Sequence, residues 1–506
     1  MNNAHELPLY HHIINGDIVK PNSGHYIDVH CPATGNLIAK TADGDATDVD
    51  LAVNAASRAL KSTDWRNISV TARSKLLYQI GNTVLANAQE LAILEVQASG
   101  GTIKRVMGLD ILAIADLFFT LAESIKSYPF IENLPPKILP EQVHTMVVKE
   151  PVGVCGIITA WNFPLLLLSW KIAPALAAGN TVVVKASELT PTSTFRLIEL
   201  INQFLPAGVL NLVSGTGVKV GDALVKHPKV NKISFTGSTQ TGRNIQVAAA
   251  ATLKRVTLEL GGKGAAIVMP DANINLVAHG ALFGIMMNSG QACESASRLI
   301  VHVDIHDELI AIMKTLAEKI VVGNPLDPAT GMGPIVSEQQ FNRIEAYLKS
   351  AQEQGAHIVT GGKRKIVAGF ENGYFLEPTI VINCQNDMKH ACEEIFGPVV
   401  SIIKFTELDE AIGIANDSIY GLSAGIWTED VIGAQAVARQ LEAGSVWIND
   451  WHMMRTDAPF GGMKQSGYGR EMSHNSLNSY TELKSISTAF ERDPSKKSTY
   501  HLVHTF

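Results

Sequence analysis

The chain has 506 residues, with 41 basic and 48 acidic side chains and a net charge of −7. At 46% hydrophobic and 18% charged residues it is neither disordered nor collagen-like, and its length predicts roughly three domains of ~150 residues that need no disulfide or metal staple. The acidic balance argues against a nucleic-acid binder, which carries a clustered basic face.

The opening MNNAHELPLYHHIING has no basic segment followed by an apolar core, so no signal peptide is read. The first 50 residues read as short strands and turns, punctuated by Pro21, Gly24, Pro32 and Gly35. Helical periodicity follows over Asp48–Ser62, Val70–Val96 and Thr102–Ser124. The stretch Tyr128–Pro151 differs. It holds Pro129, Pro135, Pro136 and Pro140, then the strand-like HTMVVKEP, and reads as an arm leaving the domain body.

From Val152 strands and helices alternate. VGVCGIITA, TVVVKAS, VLNLVSG, VNKISFTGS and VTLELGG are strands, separated by helices around Leu165–Ala178, after Pro191, at VGDALVKHP and at TGRNIQVAAAA. This order predicts parallel βαβ units and an open doubly wound α/β sheet. A second alternation starts near Ala272 and predicts a second α/β domain. The segment SYTELKSISTAF is strand-like and is expected to pair with the arm, since a lone strand needs partners for its backbone groups. Strands that leave the body often complete a sheet with another subunit, which predicts a homo-oligomer. The most membrane-like stretch, Trp161–Gly179, contains Pro164, Lys171 and Pro174, a poor fit to a span. Cys31, Cys155, Cys293, Cys384 and Cys392 form no C-x-x-C pair. They fit neither a zinc ribbon nor a dithiol motif, and suit a reducing, cytoplasmic location.

Several motifs carry chemistry. Cys293, in NSGQACESASR, is either inert packing or a nucleophile on a loop whose small neighbours Ser289, Gly290 and Ala292 allow close approach. Glu259, in LELGGK, ends a strand where open α/β sheets carry their crevices, and is either a structural group or a base. Asn162, in WNFP, is a turn residue or an amide donor to an oxyanion. FTGSTQTG (Phe235–Gly242) turns from strand to helix and offers N–H groups to a phosphate, although it is not G-x-G-x-x-G. No P-loop pattern occurs, which excludes a P-loop nucleotide hydrolase. Lys185 and Glu188, in KASE, are surface charges or ligands of an adenine ribose, where a carboxylate would repel the 2′-phosphate of NADP. His302 and His306 are four apart but fall at a strand-to-helix boundary, so no metal site is read there, nor from Cys384, His390 and Cys392.

Taken in order, WNFP, KASE, FTGS, LELGGK, NSGQAC, EEIFGP (Glu393–Pro398) and PFGGMKQSGYGRE (Pro459–Glu471) resemble the aldehyde dehydrogenase superfamily from about residue 12 to 490. The resemblance implies a Rossmann-like cofactor domain (1–128 and 151–262), an α/β catalytic domain (263–470) and a small β oligomerisation domain (129–150 and 471–506), assembled as a dimer or tetramer. It implies Cys293 as nucleophile, Asn162 as oxyanion donor, Glu259 as base, and Lys171 with Glu471 as a proton-relay pair. NAD, with NADP also open, would lie on Ile158, Trp161, Lys185, Glu188, Phe235, Gly237, Ser238, Leu260, Glu394 and Phe396. The substrate pocket would be lined by Phe163, Leu167, Trp170, Met287, Glu294, Trp451, Met453 and Met454.

In this family, members that pass the acyl group to coenzyme A typically lack the glutamate matched by Glu259, so hydrolysis to the free acid is expected. A non-catalytic member would need a lost nucleophile or base, and neither is lost. The sequence departs from the family at Ala186, where proline is common, at Met287, which replaces an aromatic, and at Glu294, where small residues are usual. Glu294 is expected either to enter the pocket or to raise the thiol pKa by like-charge repulsion. The apolar, Met-rich set favours a hydrophobic aliphatic or aromatic aldehyde. Trp170 and Trp451 leave open a box for a quaternary ammonium group, as in betaine-aldehyde-type members.

Overall fold

The strand Val154–Ile158 is buried on both faces, as expected at the centre of a sheet covered by helices on each side. In the computed structural model, which describes residues 7–137 and 142–506, this strand lies inside an eight-stranded sheet. Residues 1–6 of the opening segment and Pro140 of the arm lie outside the described residues.

Five parallel strands form the middle of that sheet, in the order Arg255–Glu259, Lys232–Thr236, Val154–Ile158, Thr181–Lys185, Leu210–Leu212. The chain winds outward in both directions from Val154–Ile158, so the order reverses beside it. The register pairs Ile158 with Lys185 and with Phe235, and Thr236 with Glu259. Residues far apart in sequence are thereby aligned on one carboxyl edge, where such folds bind ligands. Antiparallel strands close both ends: His12–Ile14 and Asp17–Val19 on one side, Gly467–Tyr468 on the other. The first two fall in the opening segment read as short strands, whereas nothing in the sequence marked Gly467–Tyr468. Through Gly467–Tyr468 the chain of the second unit reaches back into the first sheet beside Glu259.

A seven-stranded sheet follows, parallel except for its edge strand His357–Thr360. The link Leu260–Gly264 runs from the carboxyl edge of the first sheet to the start of Ala265–Val268 in the second. The strand Arg298–His302 starts in register with Ala265, so the loop before it, which carries Cys293, sits at that junction. The arm strand Val143–Pro151 pairs antiparallel with Thr481–Ala489, from Thr481 opposite Pro151 to Ala489 opposite Val143, and Ile131–Asn133 adds a third strand. The C-terminal residues carry 3₁₀ turns at Pro494–Lys496 and Tyr500–Leu502.

Two predicted helices are interrupted. Val70–Val96 divides into Val70–Ala86 and Ala88–Ser99 at Asn87. The Asn87 amide donates to the Thr83 carbonyl at 2.8 Å, a local bond that competes with the helix. The helix expected over Thr102–Ser124 contains a π turn at Val106–Asp110 before Ile111–Ser127. Beside that turn Arg105 pairs with buried Asp110 at 3.2 Å and lays its guanidinium over the Phe163 ring at 4.5 Å. Among the described residues no helix is long and apolar enough to cross a membrane.

Candidate active site

The loop carrying Cys293 begins where the helix Ile274–Met286 ends. Asn288, Ser289 and Gly290 then take φ values of 52°, 56° and 69°. Three successive left-handed residues are uncommon, and for Ser289 the conformation costs about 1–3 kcal/mol. Side chains hold the turn in place. Asn288 donates to the carbonyls of Asn162 at 3.0 Å and Gln291 at 3.2 Å, and Ser289 donates to Gly333 O at 2.7 Å. The Gln291 amide accepts from Val336 N at 2.9 Å. A Cβ at Gly290 would strike the backbone of Gly397 and Pro398. The loop is therefore rigid, as a positioned nucleophile requires.

Asn162 sits just past the strand Val154–Ile158, and its amide donates to Gln291 O at 3.0 Å. An amide nitrogen has two hydrogens, and the bond to Gln291 O uses one of them. Pro164 occupies the first turn of the helix Pro164–Ala177, where its missing N–H costs nothing. That helix is buried all round and presents Leu167, Trp170 and Lys171 to the interior.

Glu259 is 4% exposed and neither carboxylate oxygen has a partner. Burial pushes its pKa well above the usual carboxylate range; the nearby Glu471 adds to this, and Lys171 and Arg470 partly offset it. A carboxylate raised in this way binds a proton more readily than a solvated one, the direction that suits a general base. Behind it Lys171 and Glu471 form a buried pair at 2.5 Å, with the Ser234 hydroxyl 3.4 Å from the same carboxylate oxygen.

The Cys293 thiol is likewise raised well above the usual thiol range. Burial is the main cause, followed by the charge and hydrogen bond of Glu294 and the charges of Glu394 and Glu259. The thiol donates to Glu294 Oε2 at 3.2 Å.

The residues expected to hold a dinucleotide line the carboxyl edge of the first sheet. Lys185 Nζ meets Glu188 Oε2 at 2.6 Å. Ser238 caps the helix Thr239–Ala250, accepting from Thr241 N at 3.2 Å and sharing a 2.9 Å hydrogen bond with the Thr241 hydroxyl, and the helix N-terminus beside it faces a phosphate position. Ile158, Phe235 and Leu260 are buried nearby in one apolar cluster. Gly237 lies directly over the Phe235 ring, where a Cβ would collide. Glu394 accepts from Gly262 N at 2.9 Å, and burial raises its pKa to about 7. Phe396, at φ 62°, meets Trp161 edge-on with ring centroids 5.2 Å apart.

Phe163, Leu167, Trp170 and Met287 belong to one apolar cluster, against which Cys293 and Met454 pack. Phe460 joins them, 5.2 Å from Trp170. Trp451, expected in the same wall, is not there. It lies in the core of the second unit, 6.0 Å from Trp427 and 5.1 Å from Trp447, and its indole N–H donates to Glu294 O at 2.8 Å. Burying an indole favours a site where its N–H finds a carbonyl. Met453 is 45% exposed. His302 caps the helix Val303–Ala317 that contains His306, and no group of three potential metal ligands occurs among the described residues.

The sequence reading did not mark His452 or Phe460. Phe460 lies inside the quoted PFGGMKQSG motif, which was a usable signal. His452 meets Glu294 across 158 positions, Nδ1 to Oε1 at 3.0 Å, and nothing local to WHMM announces that contact.

The model of the aldehyde dehydrogenase family matches residues 18–486. DhaS of Bacillus subtilis (strain 168), a candidate aldehyde dehydrogenase, is 42% identical over 478 residues, covering 94% of each chain. Betaine aldehyde dehydrogenase of the same organism is 39% identical over 475 residues, 94% of this chain and 96% of that one. Among solved structures, betaine aldehyde dehydrogenase from Staphylococcus aureus in complex with NAD+ is 38% identical and superposes with a TM-score of 0.92 over 94% of both chains.

Proposed function

The chain belongs to the aldehyde dehydrogenase family, and from that premise we propose that it oxidises a hydrophobic aldehyde to the free carboxylic acid with NAD. The observation that carries the hydrolytic reading is Glu259, a buried carboxylate with no partner whose charge acts on the Cys293 thiol.

The residues fit the cofactor. Lys185 and Glu188 offer an ammonium and a carboxylate to ribose hydroxyls, Ser238 offers a helix N-terminus to the pyrophosphate, and Glu394 faces the junction near the thiol. When bound, NAD accepts the hydride that leaves the substrate carbon. Cys293 attacks the aldehyde carbon as thiolate. The oxygen that gains charge is met by the Asn162 amide and the Cys293 backbone N–H. Glu259 takes a proton from the water that opens the thioester, and the Lys171–Glu471 pair behind it carries that proton onward.

The apolar wall of Phe163, Leu167, Trp170, Met287, Met454 and Phe460 supports an aliphatic or aromatic substrate. A betaine-type box built on Trp170 and Trp451 is disfavoured, because the Trp451 ring packs among tryptophans of another cluster. The similarity to betaine aldehyde dehydrogenases keeps that aldehyde as the comparison substrate. The strand Thr481–Ala489, with Leu483 70% exposed, supports a homo-oligomer, dimer or tetramer. Five free cysteines support a cytoplasmic location.

The test is the initial rate of NADH formation at subsaturating substrate, a medium-chain aliphatic aldehyde against betaine aldehyde, with the product identified as acid or acyl-CoA. A higher rate per micromolar for the aliphatic aldehyde and a free-acid product bear the reading out. Preference for betaine aldehyde overturns the substrate class, and an acyl-CoA product overturns the role of Glu259.

A further inference from the structure

Glu294 directly follows the nucleophile and is held on every side. It is 3% exposed. Its Oε2 accepts the Cys293 S–H at 3.2 Å, and its Oε1 lies 3.0 Å from Nδ1 of His452. Its backbone carbonyl accepts from Trp451 Nε1 at 2.8 Å and Ser423 Oγ at 2.9 Å, which pins the backbone at this residue. His452 is fixed in turn. It stands at φ 58°, its carbonyl accepts from Met454 N at 2.7 Å, and its ring meets Phe283 edge-on at 5.3 Å and Trp447 at 6.4 Å. Its Nε2 is buried without a partner. A sulfur, a carboxylate and an imidazole thus stand in line at the reacting atom.

We propose that Glu294, oriented by His452, is the immediate acceptor of the Cys293 thiol proton, and that Glu259 serves hydrolysis alone. The inference rests on Cys293 being the nucleophile. Three carboxylates act on this thiol, Glu294, Glu394 and Glu259. Among the described residues only Glu294 hydrogen-bonds to it. Losing the proton to solvent would add a negative charge beside these carboxyl groups. Passing it to Glu294 leaves the net charge unchanged, which a low-dielectric site favours.

The S–H bond breaks, its electron pair stays on sulfur, and the proton bonds to Oε2 of Glu294. The sulfur pair then forms the C–S bond while the carbonyl π pair moves to oxygen. That pair re-forms the carbonyl as hydride leaves the carbon for NAD+, giving the thioester. When water displaces the sulfur, Glu294 returns its proton to the thiolate. His452 is a positioning residue. Burial works against ionisation, but the hydrogen bond and charge of His452 outweigh it and hold the Glu294 carboxyl below its ordinary range.

The test needs no NAD. Cys293 is alkylated with iodoacetamide from mildly acidic to alkaline pH, and the rate is read by mass on the peptide that contains it. Below the thiol pKa the wild-type rate should level to a plateau, because the proton moves within the pair. In Glu294→Gln the rate should fall about tenfold per pH unit with no plateau. His452→Gln should end the plateau at a higher pH. A wild-type profile that itself falls tenfold per unit overturns the proposal, and decides the matter even if a variant fails to fold. With NAD and aldehyde, Glu294→Gln should slow the first-turnover NADH burst about 10²-fold or more with NAD affinity unchanged. A faster burst would mean that Glu294 only burdens the thiol. NADH formation surviving in Cys293→Ala would instead sink the nucleophile assignment.

Discussion

Two carboxylates flank the same thiol from opposite sheets, and their surroundings differ in kind. Glu259, at the end of a strand of the first sheet, has no hydrogen-bond partner, and burial raises its pKa. Glu294, before a strand of the second, accepts from the thiol and contacts His452, which together outweigh burial and lower its pKa. One side chain type thus supplies two different proton acceptors. The partnered one is suited to hold charge beside the resting thiol, and the lone one to exchange protons with water.

The largest effect should come from removing the group the carboxylates share. Cys293→Ala should abolish NADH formation and leave NAD affinity nearly unchanged, as read by equilibrium binding. Next, Glu259→Gln should cut steady-state turnover about 10²–10⁴-fold. The first-turnover burst of NADH should survive, because Glu259 is assigned only to the water step. A burst lost with turnover would give both proton transfers to Glu259 and erase the contrast. The same assignment fixes a pH sign. A protonated Glu259 cannot accept a proton, so hydrolysis should fall as pH drops through its raised pKa. Steady-state rate against pH, compared with burst rate against pH, separates the two carboxylates without any substitution. Asn162→Ala should slow the burst about 10²–10³-fold, and an unchanged burst would move the oxyanion donor elsewhere.

The two sides were not equally legible in the sequence. Glu259, Lys185 and Phe235 could be placed at one edge because strand ends in βαβ units line up, and the register sets Lys185 and Phe235 each opposite Ile158 and Glu259 opposite Thr236. Cys293 was visible from its small neighbours and its motif. The partner of Glu294 was not, because His452 reaches it only once the second sheet forms, and a contact across 158 positions has no local period. The packing of Trp451 was hidden for a related reason. Sequence order sets it beside pocket residues, but side-chain direction at a tight turn decides which cluster it enters. The antiparallel strand Gly467–Tyr468 was hidden by its length. Strands of two or three residues carry too few alternations to show a period.

Trp451 gives the smallest effect and the sharpest check on the substrate side. Its indole donates to Glu294 O, which also accepts from Ser423. Trp451→Phe keeps an aromatic ring between Trp427 and Trp447 and removes one of two donors to that carbonyl. The loss should be about 1 kcal/mol of stability, read by denaturant unfolding. Because the ring lies in the core of the second unit, the ratio of rates on the aliphatic and betaine aldehydes should not change. Trp170→Phe alters the wall on which Cys293 packs and should shift that ratio. If Trp451→Phe shifted the ratio as strongly, the indole would reach substrate, and the two tryptophans would act as one cation-binding box after all.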